Sequence, residues 1–442
     1  MSRLHFDHDA PYWHQAAPLD DSAAQPLPST ADVVIIGGGF TGLSCALELA
    51  RLGRDALVLD AKTPGFGAST RNGGMIGWGH RASFAKLTQD YGDEAARAIM
   101  LEGPASLTFA LGLIAREGIE CHLKNTGRFL AAASPKHFEA IKREVETIFQ
   151  PFGVPSRIVE PKDQGAEIAS EVYCGGVVFE DHSGLHPALF HKGLLAAARK
   201  AGARIEGQAA VTGLDRWGED GAWRVTTARG SIRAREVVFA ANGYAAQFSR
   251  ALKPFADALL TLPSFIIGTE RLGENQVKAL MPGGRMYVDT RSAHSYFRPS
   301  PDGERILWGG RASLLPMDQA NATKRLRQHM TSVFPALSET KTETSWTGRI
   351  AYTRDGIAQI GQLNGIWYAG GYCGSGVAMA PYSGWRLAQK IVGTNDAASP
   401  LDVAALRRWP NQRLMPLGMR AFELWHRYKD RKDGVLAPID YR

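Results

Sequence analysis

The chain has 442 residues, of which 44% are hydrophobic and 21% are charged, a composition typical of a folded protein with more than one domain. The net charge of +7 could suggest a nucleic-acid partner. However, acidic and basic residues alternate along most of the sequence and no RNA-binding or zinc-finger signature is present, so we expect no nucleic-acid partner. The four cysteines are far apart and form no CxxC pair, which argues against a disulfide framework and a structural zinc site.

The distribution of apolar residues argues against two further classes of protein. No stretch approaches the roughly 20 apolar residues that span a bilayer. Residues 1–30 lack the basic start and apolar centre of a secretory signal. The sequence therefore predicts a cytoplasmic protein whose first 29 residues, rich in Pro, Ala and Asp, are irregular.

The first regular element along the chain is a dinucleotide-binding unit. The apolar run at residues 33–36 predicts a buried parallel strand, and Gly37, Gly39 and Gly42 follow it with the spacing of a phosphate-binding turn. A helix rich in Ala and Leu and a second strand that ends at Asp60 complete the unit. Asp60 can accept hydrogen bonds from a ribose hydroxyl and would repel a 2′-phosphate, which disfavours NADP. The alternatives are an ordinary glycine-rich turn and, for Asp60, a turn-forming or capping role.

The later elements alternate helices and strands. Apolar spacing predicts helices over residues 84–118, 136–150 and 187–201, with Gly92 and Gly103-Pro104 interrupting the first. Short strands between residues 204 and 232 predict a meander, and residues 236–243 predict another buried strand that runs into a glycine turn. Residues 246–349 alternate strand-like and helical segments. A last strand then enters a glycine loop at residues 370–376, and such a loop ahead of a helix can hold a cofactor edge.

Four of these segments resemble the motifs of the flavin-dependent amino-acid and amine oxidases, which include D-amino-acid, glycine and sarcosine oxidases. Residues 37–60 resemble the FAD fingerprint of that family, residues 67–74 its second glycine motif, residues 240–244 its third, and residues 370–381 its flavin-ring loop. The motifs stand in the family order over nearly the whole chain. Within the family, Pro11-Tyr12-Trp13, the Arg71-Asn72-Gly73-Gly74 sequence and the aromatic, basic tail resemble the γ-glutamylputrescine oxidase subgroup.

The resemblance implies an α/β and α+β fold, in which a glutathione-reductase-like, FAD-binding Rossmann domain is interleaved with an antiparallel-sheet substrate domain. Residues 1–90, 158–245 and 350–400 would form the discontinuous FAD-binding domain. Residues 91–157 and 246–349 would form the substrate domain, and residues 401–442 a helical tail. FAD would contact the glycine motifs and their neighbours: Gly37, Gly39, Phe40, Thr41, Gly42, Asp60, Ala61, Gly67, Ala68, Ser69, Arg71, Asn72, Gly73, Gly74, Met75, Val211, Ala240, Asn242, Gly348, Gly371, Gly374, Ser375, Gly376 and Val377.

The resemblance also implies an activity. Such an enzyme transfers a hydride from the carbon beside a substrate amine to FAD, the imine hydrolyses to an aldehyde, and oxygen reoxidises the flavin to give hydrogen peroxide. We therefore expect a primary or secondary amine and oxygen as partners, and no metal. The alternatives are a D-amino-acid or N-methylamino-acid dehydrogenase that passes electrons to a quinone, and a flavin-binding protein whose cofactor is structural or redox-sensing. The later glycine motifs disfavour an NAD dehydrogenase.

The sequence lacks the residues that tether FAD covalently in some relatives. Gly348 stands where some relatives carry a Cys, and Arg71 stands near the position of a His that others use. The resemblance therefore implies non-covalent FAD. His80 is the nearest remaining candidate for a covalent link.

The sequence also departs from its relatives at the substrate. Ile350, Gly374 and Ala378 stand where relatives carry the Arg and Lys residues that bind a substrate carboxylate. This favours an amine without an adjacent carboxylate, or one whose charge lies several atoms away. If the alignment with these relatives is shifted by one residue, Arg349 takes the place of the carboxylate-binding Arg instead. Leu307 replaces the oxygen-activating Lys of sarcosine oxidases, which leaves a dehydrogenase open.

Four side chains are candidate substrate contacts, because they lie on segments that face the flavin in relatives: Tyr296, Arg298, Trp346 and Tyr352. Aromatic faces suit a cationic or neutral amine arm. Packing in the core is the competing interpretation for each aromatic residue. His294, which precedes this strand, is predicted to be structural.

The C-terminal tail predicts an amphipathic basic helix over residues 415–432. Its apolar and aromatic residues are Leu417, Ala421, Leu424, Trp425 and Tyr428, with basic residues between them. A helix that caps the substrate domain is favoured over one that touches an anionic membrane. The sequence makes no prediction of oligomeric state.

Overall fold

The computed structural model describes residues 10–20, 25–247, 250–315, 317–394, 398–402, 406–409 and 415–436. The first nine residues of the predicted FAD-binding part and residues 437–442 of the predicted tail lie outside the described residues. Two eight-stranded sheets organise the described chain.

The strands are β1 (Thr30–Ile36), β2 (Ala56–Leu59), β3 (Met75–Ile76), β4 (Arg128–Ala131), β5 (Ser156–Val159), β6 (Gly176–Phe179), β7 (Ser183–Gly184), β8 (Arg204–Glu206), β9 (Val211–Trp217), β10 (Ala222–Thr227), β11 (Gly230–Phe239), β12 (Leu260–Thr269), β13 (Met286–Asp289), β14 (Ser295–Pro299), β15 (Ile306–Gly310), β16 (Thr342–Tyr352), β17 (Gln359–Leu363) and β18 (Ile366–Gly370). The helices are α1 (Trp13–Ala16), α2 (Phe40–Arg51), α3 (Phe84–Tyr91), α4 (Asp93–Arg116), α5 (Pro135–Glu144), α6 (Pro187–Lys200), α7 (Lys253–Ala258), α8 (Glu274–Leu280), α9 (Gln319–Val333), α10 (Gly376–Val392) and α11 (Met415–Lys432).

The first sheet carries the dinucleotide unit. Its main path runs β17-β18-β11-β1-β2-β8, and the β9–β10 meander pairs with β11. The predicted buried strand β1 lies between β11 and β2, parallel to both, with Val34 paired to Val237 and to Leu57. Because both faces of β1 are covered, its last four residues are buried, as the run of branched residues predicts. The helices α2 and α10 pack closely together beside it.

The second sheet is mostly antiparallel, in the order β16-β12-β15-β14-β13-β4-β6-β5, with β13 and β4 parallel. Side chains alternate between its two faces. On one face, the stacked rings of Tyr287, Phe297 and Trp308 form a separate apolar core that includes residues of α9. The opposite face meets the second glycine motif, where Tyr296 packs on Gly73 and Gly348 packs on Arg71.

The predicted domain boundaries differ from the two sheets at several places, of which three follow. Strand β6 falls in the range predicted for the FAD-binding domain, but it pairs with β4 and β5 of the second sheet. Helix α4 falls in the range predicted for the substrate domain, but it packs on α3 and α10. The boundary at residue 350 divides β16, which continues to Tyr352. Apolar periodicity shows that a segment is buried but does not reveal its partner.

Helix α4 corrects two expectations. It runs unbroken through Gly103 and Pro104, where the sequence predicted interruptions. It is also the one helix in the described ranges that is long and apolar enough to cross a membrane, whereas the sequence suggested no such stretch. Its residues Leu107, Ala110 and Leu113 are buried in the large core that includes α2 and α10, where the core helix of a folded domain lies.

The tail forms the predicted helix, α11. The Glu423 carboxylate accepts a hydrogen bond from the Leu314 backbone N–H at 2.8 Å, and Asp430 accepts hydrogen bonds from the backbone and hydroxyl of Ser292. These contacts hold α11 against the loops that follow β13 and β15. Another part of its surface leaves five large apolar residues exposed: Leu417, Phe422, Leu424, Trp425 and Tyr428.

Candidate active site

A long groove lies at the carboxyl ends of β1, β2, β11 and β18, the edge at which open α/β sheets bind ligands. Most of the residues predicted to contact FAD line this dinucleotide groove: Gly37, Gly39, Phe40, Thr41, Asp60, Ala61, Gly67, Ala68, Ser69, Arg71, Asn72, Val211, Ala240, Asn242, Gly374, Gly376 and Val377.

Asp60 closes one end of the groove. One carboxylate oxygen accepts the Gly38 N–H at 2.8 Å, and the other accepts the Lys62 N–H at 2.9 Å. Burial raises the pKa of Asp60, and the two hydrogen bonds oppose that rise. These bonds fix the carboxylate at the end of β2, where it can accept a hydrogen bond from a ribose hydroxyl.

Two helices begin at the groove after residues whose own side chains form no cap. These residues are Gly39 before α2 and Ser375 before α10, whereas Ser83, Ser134 and Asp318 cap helices elsewhere. At α2, the Ser69 hydroxyl of the second glycine motif accepts the Phe40 N–H at 3.0 Å. The free N–H groups and the positive dipole end of such a helix favour an anion. Gly42 lets α2 approach β1, because a Cβ at this position would overlap the carbonyl oxygen of Gly37. Both features fit the phosphates and flavin of an FAD molecule.

The third and fourth glycine motifs are joined through side chains. The Asn242 side-chain oxygen accepts the Gly371 N–H at 2.9 Å. The hydroxyls of Thr41 and Tyr372 lie 2.6 Å apart, which connects the first turn of α2 to the glycine loop. Gly371 therefore supports the loop without lining the groove. The sequence analysis did not identify Tyr372 as part of the site.

The second glycine motif is held by three side-chain donors from outside the Rossmann unit. The Trp13 indole donates to the Asn72 carbonyl at 2.8 Å, and the Trp346 indole donates to the Arg71 carbonyl at 3.0 Å. The Arg298 guanidinium donates to the Gly74 carbonyl at 2.6 Å and to the Leu185 carbonyl at 2.9 Å.

Arg298 and Trp346 thus differ from their predicted role as substrate contacts. Both are buried and neither lines the groove or the cavity described next. The physical reason is that their hydrogen-bonding groups are used by backbone carbonyls. They position the loop that carries Arg71 and Asn72.

A second cavity lies under the second sheet and opens into the groove. The two share eight residues: Ala68, Arg71, Asn72, Arg349, Ile350, Cys373, Gly374 and Val377. Of the residues predicted to contact FAD, four line only this second cavity: Gly73, Met75, Gly348 and Ser375. Of the predicted substrate contacts, Tyr296 and Tyr352 line it. Its junction with the groove lies beside the N-terminus of α10.

Tyr296 is fixed at this cavity. Its hydroxyl lies 2.9 Å from the Ser264 hydroxyl, and its ring packs between Gly73 and Gly309. A Cβ at Gly309 would overlap the ring, so the glycine is required for this position of Tyr296. Burial raises the pKa of Tyr296 to about 12, which keeps the phenol protonated at neutral pH.

The second cavity is rich in positive charge. Five arginines line it, namely Arg71, Arg81, Arg128, Arg311 and Arg349, and no Asp or Glu is among its described lining residues. His294 also lines it, and burial followed by the nearby Arg311 and Arg81 lowers the pKa of this imidazole to about 3. His294 is therefore neutral at physiological pH, and it borders the cavity rather than serving only the structural role predicted for it.

Three of these arginines, Arg81, Arg128 and Arg311, are not among the residues predicted from the sequence. Arg128 begins β4, opposite Met286 of the parallel strand β13, and Arg311 directly follows β15. The one available signal was the position of Arg311 beside a glycine pair at a strand end. Nothing in the sequence shows that the three arginines meet.

The apolar substitutions predicted from the sequence lie at two different places. Ile350 and Gly374 line both the groove and the second cavity, so no cation stands at those positions beside the junction. The neighbouring Arg349 lies with its guanidinium 5.0 Å from the Tyr244 ring centroid. Leu307 is buried in a small cluster with Trp13 and Trp346, and lines neither cavity. Within the described ranges, no group of three metal-ligating side chains is present.

Comparison with known proteins agrees with this geometry. The model of the DAO family, described as FAD dependent oxidoreductases, matches residues 32–390. The chain is 31% identical over 375 residues to the γ-glutamylputrescine oxidoreductase of Escherichia coli K12, which covers 82% of this chain and 84% of that relative.

Two solved structures share the fold. Glycine oxidase from Geobacillus kaustophilus has a TM-score of 0.70 at 21% identity, and the match covers 87% of this chain and 100% of that one. L-Proline dehydrogenase from P. horikoshii has a TM-score of 0.68 at 22% identity, with 85% and 98% covered. The predicted fold class and family are confirmed. This chain is an enzyme that belongs to the DAO family of FAD-dependent oxidoreductases.

Proposed function

We propose that this enzyme oxidises a primary or secondary amine, of the γ-glutamylputrescine type or another amine without an adjacent carboxylate, to an imine that hydrolyses to an aldehyde, while oxygen is reduced to hydrogen peroxide. The observation that carries the proposal is the junction between the dinucleotide groove and the second cavity, where eight residues are shared. A substrate in the second cavity would meet the end of the cofactor there. The printed name of the Escherichia coli relative supports an amine of this type.

The groove residues would hold FAD without a covalent bond. Of the described cysteines, Cys373 is the one that lines the groove. Its thiol donates to the Gly371 carbonyl at 3.1 Å, and burial raises the pKa of Cys373, which disfavours the reactive thiolate. His80 lines neither the groove nor the second cavity. When bound, FAD accepts the hydride from the carbon beside the amine.

The second cavity would prepare the amine for this reaction. Its lining contains five arginines and no carboxylate among the described residues. The positive charge disfavours a bound ammonium, so it lowers the pKa of the substrate amine and favours the neutral form. Neutral His294 and the protonated phenol of Tyr296 border the same space and can hydrogen-bond the amine. Ile350 and Gly374 supply no guanidinium group for a carboxylate next to the reacting carbon. Of the two arginines at the junction, Arg71 donates to the Phe66 and Thr347 carbonyls, and Arg349 lies over the Tyr244 ring.

Anaerobic reduction of the bound flavin tests this proposal. Putrescine derivatives should bleach the flavin absorbance, and aerobic turnover should release one peroxide for each aldehyde. D-Amino acids should bleach it at least about tenfold more slowly, because their carboxylate lacks the clamp. Bleaching by D-amino acids alone, or by neither class, would refute the proposal.

A second candidate is a D-amino-acid or N-methylamino-acid dehydrogenase that passes electrons to a quinone. Two observations favour it. Position 307 carries an apolar Leu in place of the oxygen-activating Lys of sarcosine oxidases, and α11 exposes Trp425 and Tyr428 among basic residues. Substrate-reduced enzyme that reduces a soluble quinone rapidly but releases no peroxide in air would select this candidate.

The four free cysteines fit the cytoplasmic location that the sequence predicts.

A further inference from the structure

The second cavity contains more positive charge than oxidation of a simple amine requires. Arg81, Arg128 and Arg311 line this cavity and are absent from the lining of the dinucleotide groove. Cofactor phosphates in the groove therefore do not account for these three guanidinium groups. A substrate with only an amine would meet repulsion here.

Arg81 and Arg311 come from distant parts of the chain and act on the same histidines. Arg81 precedes α3, and its backbone N–H donates to the Gly356 carbonyl at 3.0 Å. Both guanidinium groups lower the pKa of His294, on which burial has the largest effect, and both also act on His426 of α11. Arg81, Arg311 and His294 line the same cavity.

Neither guanidinium group of this pair has an ion pair or a hydrogen bond to another side chain within the described part of the chain. The nearby carboxylates are already engaged. Glu423 accepts the Leu314 N–H, and Asp355 pairs with Arg407 at 3.0 Å. The pair therefore retains its full hydrogen-bonding capacity for a ligand.

Arg128 provides an independent observation in the same cavity. Its Nε atom is buried and has no hydrogen-bond partner in the described structure. Burial lowers the pKa of Arg128 to about 10, and Asp181 partly opposes this effect. A buried guanidinium without its hydrogen bonds is unfavourable unless a ligand completes them.

We propose that the substrate carries a carboxylate several atoms away from its reacting amine, and that Arg81 and Arg311 bind this carboxylate in the second cavity, with Arg128 adding positive potential. This inference rests on the proposed function for the site of amine oxidation. It places the anionic group away from Ile350 and Gly374, where no clamp stands. A planar carboxylate can accept paired hydrogen bonds from two guanidinium groups, which gives both affinity and orientation.

The first experiment measures binding without chemistry. N-Butylsuccinamic acid carries a distal carboxylate but no amine, and N-butylsuccinamide is its uncharged counterpart of the same size. Isothermal titration with the oxidised holoenzyme should show the acid binding at least about 30-fold more tightly than the amide. The Arg81→Gln/Arg311→Gln double variant should abolish this preference, whereas Arg224→Gln, on β10 of the other sheet, should retain it.

The second experiment uses the corresponding amines, N-(4-aminobutyl)succinamic acid and N-(4-aminobutyl)succinamide, with anaerobic flavin reduction. For the acid, the double variant should raise KM at least about 30-fold and change kcat by less than about threefold. For the amide, kcat/KM should fall by less than about threefold, because three of the five cavity arginines remain to favour the neutral amine. FAD content and Tm of the double variant should equal those of the wild type, because neither arginine is used in the fold.

The outcomes separate the two proposals. If the acid binds through the arginine pair but no amine reduces the flavin, the carboxylate subsite stands and amine oxidation fails. If both amines reduce the flavin equally well and the acid shows no preference over the amide in titration, amine oxidation stands and the subsite is refuted. An equal loss on acid and amide in the double variant also refutes the subsite.

Discussion

The dinucleotide groove and the second cavity meet at eight residues but are built from different material. The groove is built mainly from backbone: it contains glycines, two helix N-termini whose N-cap side chains make no hydrogen bond, and one carboxylate held by two N–H groups. The second cavity uses side chains, with five arginines, His294 and Tyr296 contributed by separate strands and loops. A cofactor site of this kind tolerates few changes of shape, whereas a side-chain site can change its ligand by substitution at one position.

The largest expected effect comes from Gly42→Ala in the groove. The added methyl would overlap the Gly37 carbonyl and separate α2 from β1, so FAD affinity should fall at least about 100-fold and Tm should drop. Flavin absorbance per protein and thermal unfolding measure both effects. Gly112→Ala in α4 is the matched control, because a Cβ there meets no atom within 4 Å. Full flavin content in Gly42→Ala would contradict the backbone account of the groove.

Gly309→Ala tests the second cavity by the same methyl addition. The methyl would displace the Tyr296 ring, so kcat/KM should fall at least about 30-fold while FAD content stays unchanged. Tyr296→Phe removes only the hydroxyl that lies near Ser264, and a loss of about threefold to tenfold is expected. If Gly309→Ala releases FAD instead, the two regions are not separable in the way described.

Asp60→Asn is a milder test of the groove. The amide retains one acceptor oxygen but presents an N–H₂ group to the Gly38 or Lys62 N–H, so FAD affinity should fall about tenfold, or about 1.4 kcal/mol. At saturating FAD, kcat should match the wild type. Fluorescence titration of the apoprotein with FAD gives the affinity. A change in substrate KM at full occupancy would contradict a role confined to the cofactor.

The smallest expected effect is on the pH dependence of folding stability. It can be compared for two histidines, one beside the groove and one beside the second cavity. Burial lowers the pKa of His191, whose ring bonds the Gly38 carbonyl at 2.8 Å, to about 4, and the pKa of His294 to about 3. An unfolded histidine titrates near 6.5. The unfolded state therefore binds more protons below pH 6.5, and stability should decrease as pH falls towards 4.

Substitution of either histidine should flatten this decrease by up to about 1.4 kcal/mol per pH unit. Urea unfolding of holoenzyme between pH 7 and 4.5 measures the slope for His191→Gln and His294→Gln. Parallel slopes for wild type and both variants would show that these imidazoles are already charged in the folded state. The pH dependence of FAD loss should change more in His191→Gln than in His294→Gln, because the His191 ring bonds the Gly38 carbonyl beside the groove.

The sequence predicted the groove nearly residue by residue but predicted only part of the second cavity. Glycine spacing after a strand is a local signal, so Gly37, Gly39 and Asp60 could be assigned without a fold. Tyr296 and Tyr352, which the resemblance predicts to contact substrate, line the second cavity. Arg298 lies on the same strand as Tyr296, but its guanidinium bonds carbonyls of the second glycine motif. Whether a buried polar side chain serves a ligand or the backbone depends on contacts that periodicity does not encode.

The sequence by itself determined the family, the cofactor groove and the lack of a basic side chain at Ile350 and Gly374, because each follows from residue types at fixed local spacing. Only the tertiary structure brought Arg81, Arg128 and Arg311 into one cavity, paired β6 with the second sheet and packed α4 on α3 and α10. These arginines are more than 40 residues apart along the chain. Arg128 begins a strand, Arg311 follows the end of another and Arg81 lies in a loop. No local sequence pattern predicts that these three positions line one cavity.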